Sequence, residues 1–157
     1  MPPRVRWVFL AYRLPREPST PRITLWRKLR RLGVAQVADG VVALPLDART
    51  KEQLEWVADE VIEAGGEATI WLAETASRSQ EQTVIEAMGA AVAGDYQAVI
   101  DAATAAAAEP PGQRRRTLSR LRRELRRIRS RDYFPPPEAE AAARAVAALT
   151  AGVEAVT

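Results

Sequence analysis

The residues of this 157-residue chain best equipped for chemistry are arginines. Arg120, Arg123 and Arg127 recur at spacings of three and four, which on a helix sets them near one face. Arg27, Arg30 and Arg31 form a second such group, beside Lys28. A guanidinium cannot serve as a general base. It holds its charge and offers a planar fork of donors to phosphate, carboxylate or another oxyanion. These six residues are therefore candidates for binding DNA or an oxyanion rather than for catalysis.

The remaining composition narrows the chemistry further. The chain has no Cys and no His, which removes disulfides, thiolate nucleophiles, the commonest general base and the commonest transition-metal ligand. Glu17, Asp47 and Asp59 are scattered, Asp39 reads as a turn residue, and there is no Gly-rich phosphate loop and no nucleophile motif. No catalytic residue, metal site or cofactor is expected. The apolar run near the N-terminus is short and broken by Arg13, a poor signal peptide, and the Ala-rich C-terminal stretch carries Glu138, Glu140, Arg144 and Glu154, too many charges for a membrane span. The expected location is the cytoplasm, with no membrane contact.

The charge is unevenly placed. The whole chain carries a net +3, whereas residues 114–132 hold ten arginines against two acids, a local +8; residues 77–113 carry −4. Three readings of the Arg segment follow. Its arginines pair with the acids of residues 77–113 on a solvated helix; or they contact nucleic-acid phosphates, with steep salt dependence; or they bind a small oxyanion. The first carries most weight, because charge runs are usually wet faces; the sequence alone does not separate the last two.

The elements that must position these groups read clearly. Trp7 to Tyr12 is apolar on both faces, as a central strand covered on at least one side would be. Pro15, Pro18 and Pro21 end it. Thr20 reads as an N-cap, with Pro21 at the first helical position. Leu25, Leu29 and Leu32, flanked by Ile23 and Trp26, read as the buried stripe of a helix whose wet side is Arg27, Lys28, Arg30 and Arg31; Gly33 reads as its C-terminal cap. Strands at Val34–Ala38 and Val41–Leu44 flank Asp39-Gly40, a hairpin turn. Thr50 and Gln53 read as a capping box for a helix with Leu54, Val57, Val61 and Ile62 inward, stopped at Gly65-Gly66 and followed by a strand from Ala68 to Ala73. The order β-α-β-β-α-β is the ferredoxin-like arrangement.

After Thr75 the periodicity becomes helical. Helices are expected over Ser77–Ala93 and about Asp95–Ala108, then a break at Pro110-Pro111-Gly112. In the Arg segment Leu118, Leu121, Leu125 and Ile128 form a narrow seam, Tyr133-Phe134 reads as a helix-end anchor, and Pro135 to Pro137 end the segment. A last helix is expected from Glu138 to Val156, with Val146, Leu149 and Val153 on one side. The tryptophans at 7, 26, 56 and 71 all read as core. The fold class expected is α+β: a ferredoxin-like domain, residues 4–76, followed by an all-helical extension, residues 77–157.

Three separated blocks carry a resemblance: YRLPREPSTPRITLWRKLRRLGVAQVADGVVALP, EWVADEVIEAGGEA and LRRIRSRDYF. Together they resemble the N-terminal domain of the ChrB chromate-resistance proteins, from about Trp7 to the C-terminus. The resemblance implies a cytoplasmic, chromate-responsive regulator of a chromate efflux operon, and supplies no catalytic residues. Longer ChrB proteins continue into a C-terminal domain, so this chain reads as an isolated domain or one half of a split protein. A second resemblance, of LWRKLRRLG and DGVVALP, is to the middle domain of PaaX-type repressors and through it to small CRISPR-associated ferredoxin-like nucleases. Those nucleases carry an Asp at the end of the first strand, where this chain reads Tyr12-Arg13-Leu14-Pro15. The likeness supports the fold and a homodimer, and argues against nuclease activity. The leading expectation is a transcriptional regulator that contacts promoter DNA through its Arg-rich helices and responds to chromate or another oxyanion. The alternative is a dimeric scaffold that does not bind DNA and completes a separately encoded ChrB C-terminal half. An enzyme ranks third.

Overall fold

The computed structural model describes residues 2–155. Nine elements follow in order: β1 (Trp7–Arg13), α1 (Thr20–Leu32), β2 (Ala35–Ala38), β3 (Val41–Pro45), α2 (Ala48–Glu63), β4 (Glu67–Ala73), α3 (Arg78–Ala106), α4 (Pro111–Ser130) and α5 (Pro137–Glu154). The chain divides into two compact units, residues 1–87 and 88–157.

The first unit is a four-stranded sheet of order β2-β3-β1-β4 in which every neighbouring pair is antiparallel. That order is the ferredoxin-like one, with β1 central as its two apolar faces require. Val8 and Leu10 stand opposite Leu44 and Val42, and all four are buried. They meet the inward stripe of α2 (Leu54, Val57, Val61), while Leu25 and Leu29 bury α1 beside it. Lys28 of α1 pairs with Glu60 of α2 and ties the two helices. The other face of the sheet carries Trp7, Phe9 and Ala43. Together with Thr83 and Val84 from the start of α3 they line a small groove. Glu81, also at the start of α3, is buried: it accepts the Val5 N–H at 2.6 Å and pairs with Arg4 at 3.5 Å.

Several local details differ from the sequence reading. Ser19, not Thr20, occupies the N-cap of α1, and its side chain makes no capping bond; Thr20 and Pro21 are already helical. The capping box of α2 is Asp47 with Thr50, because Asp47 accepts the Thr50 N–H at 2.7 Å and the Thr50 hydroxyl accepts the Asp47 N–H at 2.9 Å. Gln53 lies a turn inside the helix and has no capping donor to reach. Ile23, Trp26 and Ile62 are exposed rather than buried, since each lies off the stripe its helix turns to the sheet. Of the four tryptophans only Trp7 is core; Trp56 and Trp71 are 58% and 60% exposed. Trp71 sits on edge strand β4, where no further strand covers it, and its indole N–H donates to Thr69 Oγ1 at 2.9 Å.

The second unit is a helical core built from α3, α4 and α5. The expected break between Ala93 and Asp95 is absent. α3 runs unbroken through Gly94, whose neighbourhood is open, so the helical hydrogen-bond ladder outweighs glycine's modest helix penalty. Leu118, Leu121, Leu125 and Ile128 are all buried, as the seam demands, against Tyr96, Val99 and Ala103 of α3 and Val146 and Leu149 of α5. Pro137 opens α5 instead of ending the preceding segment, a position where its missing N–H costs nothing. α5 ends at Glu154, and the expected end at Val156 lies outside the described residues.

A polar bond starts from inside this core. The Tyr96 hydroxyl, on a fully buried ring, donates to Asp132 Oδ2 at 2.7 Å. Burial first, then that bond and the Asp132 charge, push the phenol far above its ordinary value of 10. The neutral phenol is therefore favoured in the folded state. Its contribution to stability is complete below pH 10 and is lost as pH rises above it towards the folded-state value. Tyr96→Phe should cost about 1.5–3 kcal/mol, the usual worth of a hydrogen bond to a charged acceptor. The loss should disappear when urea midpoints are compared at strongly alkaline pH; a midpoint unchanged at pH 7 would show that the bond contributes nothing.

Candidate functional site

The arginines singled out by spacing occupy two different surfaces. Arg120, Arg123 and Arg127 lie on the exposed side of α4, opposite the buried seam. A Leu/Ile stripe of spacing three, four and three fills one narrow face, and with ten arginines in the segment nearly every other outward position is cationic. Arg115 and Arg116 extend the same face with Arg123, around Gly112 and Ser119, as a shallow basic depression.

These arginines are mostly not neutralised by the acidic segment that precedes them. Arg131 pairs with Asp95 at 3.0 Å, and Arg114 donates to the Glu109 carbonyl at 3.0 Å. Arg122 donates to Thr150 Oγ1 at 3.0 Å, and Arg127 approaches Glu124 of its own helix at 3.6 Å. Among the described residues, Asp95 is the one acid of residues 77–113 that forms an ion pair with the Arg segment. The outward face of α4 thus keeps most of its charge for solvent or a ligand. An exposed pair such as Arg127 with Glu124 holds its partner weakly, at about 0–1 kcal/mol.

The second surface is built by α1. Arg27 and Arg30 project into a broad cleft of about 1050 Å³ that the end of β1 and the tip of the β2–β3 hairpin complete. Arg31 lies outside it. The cleft exists because of two turns. Gly33 takes the left-handed conformation (φ 78°) that closes α1 and lets the chain double back into β2. Asp39-Gly40 then turns β2 into β3, with Gly40 at φ 72°, and the Gly40 carbonyl accepts the Tyr12 N–H at 2.8 Å. This bond pins the hairpin tip to the end of β1. It brings Tyr12 and Arg13 beside Arg22, Trp26 and Arg30. Burial raises the pKa of the Tyr12 phenol; Arg22 opposes the shift and Asp39 adds to it.

Tyr12, Arg13, Arg22 and Trp26 were not among the sequence candidates. Residue type alone assigns Trp26 to the core; Tyr12 reads as a face residue of β1, Arg13 as the break in its apolar run, and the two together as its acid-free end. A signal for Arg22 and Trp26 was present in the spacing of four residues that links both to Arg30. The contribution of the hairpin tip depends on the tertiary fold and leaves no local pattern.

Comparison with known proteins adds one match. A family model described as the N-terminal part of protein ChrB matches residues 22–110, more than half of the chain, from within α1 to the residue before α4. No curated protein and no solved structure matches it. Among the described residues no helix is long and apolar enough to cross a membrane. The chain belongs to the ChrB chromate-resistance family, as an N-terminal ChrB domain.

Proposed function

We propose that the protein acts in the cytoplasm as a chromate-responsive transcriptional regulator of a chromate efflux operon, contacting promoter DNA through the arginines of α4 and α1. The observation that carries this reading is the outward face of α4. Arg120, Arg123 and Arg127 are exposed there on a helix fixed by a buried seam, and the preceding acids leave that face largely uncompensated. A rigid row of guanidinium groups suits the regular phosphates of a duplex, and such contacts position a protein on DNA without reading bases. A homodimer would present two such rows.

The test is binding to the promoter of the protein's own operon across a range of salt. Each neutralised phosphate contributes about −0.9 to the slope of log K against log salt. Replacing Arg120, Arg123 and Arg127 together by Gln should weaken binding and flatten the slope by about 2–3 units. Gln keeps helix propensity, so circular dichroism should be unchanged. An unaltered slope would remove α4 from the interface.

A second reading has its own observation. Trp56, Trp71, Leu72 and Ile62 are exposed on the first unit, an unusual number of large apolar groups in water. They suit a dimeric scaffold that completes a separate ChrB C-terminal half without touching DNA. Failure of the wild-type protein to bind the promoter, with or without chromate, would favour it.

A further inference from the structure

The cleft beside α1 has a composition that duplex phosphate contact does not explain. Arg22, Trp26 and Arg30 succeed one another every four residues along α1, each about 6 Å further along the axis. Trp26 is 45% exposed between two cations, where burial against the sheet would have been the stable fate of an indole. Arg13 and Arg27 line the same cleft. The guanidinium groups of Arg13, Arg22, Arg27 and Arg30 make no ion pair and no side-chain hydrogen bond among the described residues. Asp39 is the one acid in the lining. The Tyr12 hydroxyl remains protonated at neutral pH and can donate.

We infer that this cleft binds a nucleotide with an unpaired base, the base stacked on Trp26 and its phosphate held by Arg22, Arg30 and their neighbours. An exposed aromatic face flanked by cations is the pattern by which single-stranded nucleic acid is held, because every base has a π-face and every link a phosphate. A small oxyanion alone would leave the indole unused and fill a minor part of about 1050 Å³. A duplex keeps its bases stacked and hides their faces from Trp26. A volume of about 1050 Å³ accommodates a free nucleotide or one residue of a single strand. This inference is independent of duplex binding by α4, since no residue of α4 lines the cleft.

The experiment uses the full chain, a fluorescein-labelled twenty-residue oligo(dT), the same length as duplex, AMP and inorganic phosphate. Oligo(dT) should bind more tightly than the duplex to a variant with Arg120, Arg123 and Arg127 changed to Gln, where competition from α4 is reduced. Trp26→Ala should weaken oligo(dT) binding roughly 5- to 150-fold, the range for loss of one stacked base. Trp56→Ala, which removes an exposed indole outside the cleft, should leave it unchanged. Arg22→Gln with Arg30→Gln should flatten the salt slope by about 0.7 unit, the value for one single-strand phosphate. Competition by AMP would identify a free nucleotide as ligand, and binding that AMP does not displace would identify a strand. Both outcomes sustain the inference. Phosphate competing as well as AMP, equal binding by Trp26→Ala and wild type, or no binding of oligo(dT) and AMP at all would each overturn it. All four variants alter exposed side chains, so their far-ultraviolet spectra should match wild type.

Discussion

Leu121→Ala should lower the stability of the helical unit by about 2–5 kcal/mol, the range for a large aliphatic side chain removed from a packed interior. Leu121 is 1% exposed at the centre of the seam, between Leu118 and Leu125. The case for the upper half of that range lies in its surroundings. Ala103, Ala106 and Ala142 line the same core and bring the helix backbones close, so few long side chains can swing into the vacated space. A cavity that cannot collapse costs more than the transfer energy of the lost methyls. For a domain of this size each kcal/mol shifts the melting temperature by about 4–8 °C, so a fall of roughly 14–40 °C is expected. Arg123→Gln, two residues away on the wet side, should change stability by less than about 0.5 kcal/mol. If Leu121→Ala melted within a degree of wild type, α4 would not be anchored by its seam, and a fixed row of arginines would have no support.

Gly40→Ala should destabilise the sheet strongly. Gly40 adopts φ +72°, and a Cβ there would stand 2.5 Å from the Tyr12 carbonyl oxygen. The left-handed conformation costs a residue with a side chain about 1–2 kcal/mol, and relieving the overlap adds about 1–3 kcal/mol. The colliding atom belongs to central strand β1 and cannot rotate away as a side-chain end could. The hairpin tip must then lift, breaking the bond from the Tyr12 N–H to the Gly40 carbonyl and widening the cleft. The variant should therefore lose urea resistance, and nucleotide binding in the cleft should fall with it. Gly94→Ala provides the contrast. A methyl there meets nothing within 4 Å, and the site is mid-helix, so a gain of about 0.5–1 kcal/mol is expected. Similar urea midpoints for the two variants would mean that the hairpin tip yields freely and that Gly40 is dispensable.

What could be read from residues alone follows from how far each signal reaches. Gly33 and Asp39-Gly40 impose backbone geometry within a few residues, and both turns lie where that chemistry puts them. The seam from Leu118 to Ile128 repeats over three turns and points to one buried face whatever packs against it. The errors arise where two readings of one local pattern are nearly equal. Asp47-x-x-Thr50 and Thr50-x-x-Gln53 both have capping spacing, and the nearby start of the helix decides for the first. Trp26 and Ile23 look like stripe residues by type. The 100° turn of each helical residue sets them beside the stripe and not on it, a difference that an apolar count over a window blurs. The cleft itself was invisible because it joins residues from three separate elements, β1, α1 and the β2–β3 hairpin. Its arginines on α1 were legible as a cationic face; their company of Tyr12, Arg13 and Trp26 was not.

The strand order also sets a timetable for synthesis. β1, the most apolar strand, ends at Arg13, yet its partner β4 begins only at Glu67 and completes the pairing from Trp7 to Ala73. At about 5–20 residues per second, the ribosome leaves one edge of β1 unpaired for roughly 3–12 s. Throughout that interval Trp7, Val8 and Leu10 have only part of their cover, and the nascent chain is open to strand addition by any neighbour on the same message. Residues 88–157 emerge afterwards with mostly local helical contacts, and close fast. Yield in a cell should thus depend on translation speed between β1 and β4 and on chaperone capture of that stretch.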